Sequence, residues 1–168
     1  MEELLYQQAF QALAHYKVRY LVVGGIAVNL LGVPRMTKDL DLMLDLEKKN
    51  ISRLLQAMKR LGYKPRVSVN AADLADESMR KKWTKEKGAV VFTFQDPRPP
   101  HDQIDIFLEN PIDFKQARGR GNIIKAAKLS IPVVSFNDLI KLKSKAGRLQ
   151  DQADIAMLHK VMREKQED

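Results

Sequence analysis

An α/β (α+β) fold, with a mixed central β-sheet flanked by helices, is predicted by three features of the sequence. Short β-branched and aromatic runs interleave with stretches of three- and four-residue apolar spacing. Two strand-like runs flank a proline-rich loop, as in an antiparallel hairpin. No repeat or long linker divides the 168 residues. One domain over 1–168 is expected, with a helical C-terminal segment over 136–165, because domains cluster at about 100 to 150 residues.

Leu4, Leu5, Ala9, Ala12 and Leu13 predict an amphipathic helix over 3–16. Residues 20–23 form a buried strand that ends at Gly24-Gly25, and a short helix over 26–31 stops near Gly32 and Pro34. Over 39–45, Leu40, Leu42 and Leu44 alternate with Asp39, Asp41, Met43 and Asp45, the pattern of a half-buried strand. Ile51, Leu54, Leu55 and Met58 place a helix over 46–61, with Gly62 as its C-terminal cap. A weaker strand over 64–69 precedes a single helix over 70–87, capped by Asn70. Runs 89–94 and 103–108 are the hairpin strands, and the prolines between them donate no ladder bond. The polar segment that follows reads as a connection to a last strand over 129–134. Ser135 or Asn137 then caps a helix through 146 that ends at Gly147, and Asp151 caps a final helix to about 163.

The absence of cysteine excludes a disulfide framework, a thiolate nucleophile and a Cys-bearing metal site. His15, His101 and His159 have no ligand-like spacing. The acidic, amphipathic start is unlike a secretory signal, and no apolar run approaches the roughly 20 residues that cross a bilayer. A soluble, cytoplasmic protein with no membrane partner is expected. The net charge of +8 favours polyanionic partners: nucleic acid, nucleoside triphosphates or an acidic protein. Trp83 among Lys81, Lys82, Lys85 and Lys87 reads either as a base-stacking platform or as a solvated lysine face.

Gly24-Gly25 is followed by Asp39-Leu-Asp41 on the next strand. Two carboxylates on one strand face, about 6 to 7 Å apart, repel and raise each other's pKa, and a divalent cation between them removes that penalty. Hard oxygen ligands suit Mg²⁺, which keeps water and substrate phosphate in its shell. A glycine turn lets backbone N–H groups approach a phosphate. Alone, the glycines read as a tight turn and the aspartates as a solvated face; together they point to phosphoryl chemistry. On the C-terminal helix, angular spacing puts Leu142, Ala146 and Leu149 on the side of Leu139, with Lys143 at the flank. A lysine there needs an anionic partner or must snorkel to water. Lys141, Lys145 and Arg148 fall on the opposite, solvated side.

Gly24-Gly25 with Arg35-Met-Thr37-Lys-Asp39-Leu-Asp41 resembles the signature of the nucleotidyltransferase superfamily that includes DNA polymerase beta. The block from Asp138 through Lys143, Gly147, Arg148 and Asp151 to Asp154 is similar to the AbiEii-type abortive-infection toxins and related small bacterial nucleotidyltransferases. The resemblance implies a nucleotidyltransferase fold and transfer of NMP from an NTP to an acceptor hydroxyl on tRNA, protein or a small molecule, with loss of pyrophosphate. It further implies two Mg²⁺ ions held by Asp39, Asp41 and a third carboxylate. Asp105, which breaks an apolar run between Ile104 and Ile106, is the choice, with Asp102 as the alternative. Gly24, Gly25, Arg35, Thr37 and Lys143 are the implied nucleotide-binding residues, and an acidic antitoxin is the implied partner if the chain is a toxin. Gly25 stands where many superfamily members carry serine. Arg148, Asp151 and Asp154 are expected to hold a helix junction. A non-catalytic basic module that binds RNA or nucleotide is the alternative reading.

Overall fold

A computed structural model describes residues 4–167. In chain order the elements are α1 (Gln7–His15), β1 (Tyr20–Val23), α2 (Gly24–Leu30), β2 (Leu40–Leu44), α3 (Lys48–Leu61) and β3 (Lys64–Pro65). A 3₁₀ turn (Ala71–Ala75) leads into α4 (Glu77–Lys87), β4 (Val91–Gln95), β5 (Gln103–Phe107), α5 (Phe114–Arg120), β6 (Asn122–Ala126), β7 (Leu129–Val133), α6 (Phe136–Ala146) and α7 (Leu149–Glu167). The strands form one seven-stranded mixed sheet in the order β3-β4-β5-β2-β1-β7-β6. β2 runs parallel to β5 and antiparallel to β1, while β1 runs parallel to β7. The predicted α/β class and the β4–β5 hairpin are present, the latter with Phe94 opposite Ile104.

The core follows from the central strands. All four residues of β1 are buried, and in β2 only Asp41 escapes full burial. Met43, expected on a polar face, is inaccessible like Leu42 and Leu44, so β2 is covered on both faces rather than half-buried. α1 contributes Ala9, Phe10, Ala12 and Leu13 and packs against α3 and β7, while α2 lies on β1 and β2.

Several boundaries differ from expectation. The opening helix is confined to Gln7–His15, and the first residue of the predicted span lies outside the described residues. The predicted helix over 70–87 is broken at Asp76, whose extended backbone separates the 3₁₀ turn from α4. Both Asn70 and Asp76 cap, accepting from Ala72 and Ser78. α5 and β6 went unread as a polar connection. The β6–β7 hairpin turns on Ala127 and Lys128, both at positive φ, without the Asn-Gly chemistry that ordinarily marks such a turn. β3 pairs only at Lys64 and Pro65, short of the expected 64–69. Gly62, Ser135 and Gly147 cap as anticipated.

Asn50 pins α3 to the sheet. Its side chain is fully buried, accepts from Arg19 N–H at 2.8 Å and donates to the carbonyls of Arg19 at 2.8 Å and Asp45 at 2.7 Å. Asn50→Ala leaves those backbone groups unpaired, so urea denaturation should show a loss of about 3 kcal/mol with an unchanged m-value.

Candidate active site

Register brings the acidic residues together. Asp41 of β2 lies opposite Asp105 of β5, Asp105 lies opposite Thr93 of β4, and Asp41 lies opposite Val23 at the end of β1. Paired residues in neighbouring strands point to the same face, so Thr93, Asp105 and Asp41 form a row across the middle of the sheet. Asp39, two residues before Asp41, joins that face just ahead of β2. The Thr93 hydroxyl donates to Asp105 Oδ1 at 2.6 Å, fixing the carboxylate. Thr93 went unrecognised in the sequence, although it is the polar residue in the middle of Phe92-Thr93-Phe94. Asp102 lies outside this row, beside the β4–β5 loop, where its carbonyl accepts from Asp96 N–H.

Crowding has an electrostatic consequence. Asp41 is pushed up from 3.8 to about 7, first by burial, then by the charges of Asp105 and Asp39 and by a hydrogen bond shared with Asp105; Lys143 opposes the rise. Asp39 is also raised, by burial and then by Asp105. Its Oδ1 is buried without a hydrogen-bond partner. Among the described residues no three histidine or acidic side chains already surround a common point. The donor set nevertheless fits a hard divalent cation: carboxylate oxygens, one of them orphaned, and a proton held at Asp41 where positive charge is wanted.

The glycine turn abuts these carboxylates. Gly24 opens α2 at φ +70°, and a Cβ there would fall on the Asp41 carboxylate, so glycine is required on both counts. A Cβ at Gly25 would strike Thr37 Oγ1 and would come within 2.7 Å of Arg35 Nη1. The space a serine side chain would take is therefore filled by Thr37 and Arg35.

Lys143 is 6% exposed, and with Asp138 and Leu139 it forms the buried face of α6. The expected apolar side is buried only at its start: Leu139 is buried and Leu142 half-buried against the core, whereas Ala146 is exposed and Leu149 is 84% exposed. The anionic partner a buried lysine needs comes from α7, because Lys143 Nζ lies 2.8 Å from Asp154 Oδ2 and 3.4 Å from Asp151 Oδ1. Asp154 Oδ1 accepts from Arg35 Nε and Gln150 Nε2, both at 2.9 Å. Arg148 holds the Asp151 carboxyl below its ordinary range through a 2.8 Å hydrogen bond. Asp151 lies inside the first turn of α7 and accepts from the N–H of Arg148, so the expected junction is present.

Trp83 is no base-stacking platform. It is 7% exposed and packs against Phe92 at 5.5 Å between ring centroids, while the lysines around it are solvated. No helix among the described residues is long and apolar enough to cross a membrane.

Solved structures share this architecture. The lincosamide antibiotic adenylyltransferase LnuA, crystallised with lincomycin, superposes with a TM-score of 0.62 at 18% identity, over 95% of this chain and 99% of its own. ANT(2")-Ia, in complex with adenylyl-2"-tobramycin, gives 0.61 at 13% identity, over 94% and 87%. A nucleotidyltransferase-like protein from Paracoccidioides brasiliensis gives 0.56 at 17% identity, over 89% and 71%. The fold is thus that of the nucleotidyltransferases. The sequence model of the nucleotidyl transferase AbiEii toxin family, type IV toxin–antitoxin system, matches residues 8–165, and the chain belongs to that family. Comparison with curated proteins by sequence finds no match. Nucleotidyl transfer is accordingly its reaction class.

The raised pKa of Asp41 has a defined sign. In the metal-free chain the folded state holds this proton more tightly than the unfolded state, so the associated stability is complete below pH 3.8 and is lost as pH rises through about 7. Between those limits the metal-free wild type should lose on the order of 4 kcal/mol relative to Asp41→Asn, whose amide cannot ionise. Thermal melts of both proteins in chelator across that range measure the difference.

Proposed function

We propose that the chain is a Mg²⁺-dependent enzyme that transfers NMP from an NTP to an acceptor hydroxyl and releases pyrophosphate. The observation that carries the reading is the row Thr93–Asp105–Asp41, with the orphaned Asp39 oxygen beside it and the Gly24-Gly25 turn against it. Asp39, Asp41 and Asp105 would hold the metal, two ions being expected. Bound magnesium supplies neutralisation of the triphosphate and of the crowded carboxylates.

The remaining work falls to side chains and backbone already in place. Asp105, held by Thr93, accepts the proton of the acceptor hydroxyl. The acceptor oxygen forms its bond to the α-phosphorus as the bond to the bridging oxygen breaks, and that oxygen leaves with pyrophosphate. Gly24 and Gly25, packed against Asp41, Thr37 and Arg35, would offer backbone N–H groups at the start of α2 to the phosphates. Thr37 holds the turn from the β2 side. Lys143 and Arg35, tethered through the same Asp154, bring positive charge to the triphosphate, and the influence of Lys143 on Asp41 supports its closeness to the carboxylates.

The acceptor is tRNA, protein or a small molecule, and the +8 charge favours a polyanion among these. Family membership supports a toxin role with an antitoxin as partner, which the net charge of +8 would favour as acidic, both acting in the cytoplasm. In cell extract with α-labelled NTP and Mg²⁺, the wild type should label an acceptor. Asp105→Asn should reduce the rate by about 10²- to 10⁴-fold with a melting temperature no lower than that of the wild type, because one of the crowded charges is removed. Undiminished labelling by that variant would refute the site; polyanion binding without any transfer, steeply salt-dependent, would indicate a non-catalytic module.

A further inference from the structure

Tyr6 ties together the two strands that carry the carboxylates, just before either acidic residue is reached. Its hydroxyl oxygen lies 2.6 Å from the Lys38 carbonyl and 2.9 Å from the Gln103 carbonyl, and it accepts the Gln103 N–H at 3.2 Å. Lys38 immediately precedes Asp39, and Gln103 opens β5 two residues before Asp105.

The β2–β5 ladder pairs Leu40 with Ile104 and Asp41 with Asp105. At the next step back the strands no longer meet directly, and both backbone groups of Gln103 turn to the Tyr6 hydroxyl. The single hydroxyl proton is shared between the Lys38 and Gln103 carbonyls and a lone pair takes the Gln103 N–H, so the hydroxyl acts as a rung one oxygen wide. Asp39 is the residue that depends on it. Lying outside β2, Asp39 is held on one side by the first ladder pair at Leu40 and on the other by Lys38, whose carbonyl Tyr6 engages.

The backbone of Tyr6 adds a second observation. It sits at φ 60°, a left-handed conformation uncommon for a bulky aromatic residue, and its carbonyl accepts the N–H of Phe10 at the start of α1. Such conformations cost free energy and persist where surrounding contacts over-determine them. Here the contacts are the hydroxyl bonds to the two strand starts.

We infer that Tyr6 is a positioning residue, whose hydroxyl sets the spacing of Lys38 and Gln103 and so the disposition of Asp39 toward Asp105. The inference rests on the reaction assigned above. A purely structural alternative is that Tyr6 anchors the N-terminal segment to the sheet and has no bearing on the carboxylates.

The test compares the full-length wild type, Tyr6→Phe and, as a control at the opposite end of α1, Tyr16→Phe. Mn²⁺ binding is measured calorimetrically without nucleotide, alongside steady-state transfer and thermal melting. For Tyr6→Phe, Mn²⁺ affinity and kcat should each fall about 10- to 100-fold, as when a partner that orients a metal ligand is removed. KM for NTP should stay within about threefold, because ground-state binding of the nucleotide is not the interaction lost. The melting temperature should drop by about 2 to 4 °C, the effect of one lost hydrogen-bonding group in a domain of this size. Tyr16→Phe should match the wild type throughout. Unchanged Mn²⁺ affinity and kcat in Tyr6→Phe would overturn the positioning role alone, as would losses that vanish when the assays are run well below the melting transition. A wild type that neither binds Mn²⁺ nor transfers nucleotide would overturn both this inference and the reaction assigned above.

Discussion

Like charges crowded onto one face of a buried sheet repel, and the arrangement around Asp41 is organised by that constraint. Asp41 and Asp105 are held side by side by the parallel pairing of β2 with β5, and Asp39 approaches from the start of the same strand. Backbone hydrogen bonds fix the placement, so the side chains cannot relax by moving apart. Without added positive charge, burial first and the repulsion second favour a proton on Asp41, which is why its pKa is raised. The divalent cation proposed above would relieve it differently, with phosphate oxygens of the substrate available to complete its shell. Fold stability and site chemistry thus pull against each other at these residues.

The positive side of the balance comes largely from the C-terminal helices. Lys143 is buried and held by Asp151 and Asp154, and Asp154 also binds Arg35, which lies against Gly25. Truncating either partner would strand a buried charge, an outcome that typically costs more than the pair contributes. The network therefore couples the α6–α7 junction to the glycine turn and gives the helical segment a reason to belong to the same domain as the sheet. Elsewhere the cations are solvated, as on α4, and they act through net charge rather than through defined contacts.

Much of this was legible in the sequence where local rules and function agree. Asp41 and Asp105 stand out because each interrupts an apolar strand, Asp39 because it stands two residues before Asp41, and Gly24 because it ends a strand. The caps at Gly62, Ser135 and Gly147 follow from local backbone and side-chain chemistry, which a sequence displays directly. The β6–β7 hairpin was not legible because Ala127 and Lys128 take positive φ without a residue suited to it. Trp83 misleads because lysine neighbours suggest a nucleic-acid surface, while Phe92, against which it packs, lies on strand β4.

By itself the sequence determined the α/β class, most elements, the carboxylates and the need of Lys143 for an anion. These depend on periodicity and residue chemistry within short windows. The tertiary structure alone decided which anions Lys143 meets, that Asp105 rather than Asp102 aligns with Asp41, that Thr93 bonds the Asp105 carboxylate and that the Tyr6 hydroxyl bridges Lys38 and Gln103. The Lys143 contacts depend on how α6 packs against α7, and the Tyr6 bonds join segments far apart in the chain. The row of Asp41, Asp105 and Thr93 depends on strand register, which is settled by the packing of the whole sheet rather than by any one segment.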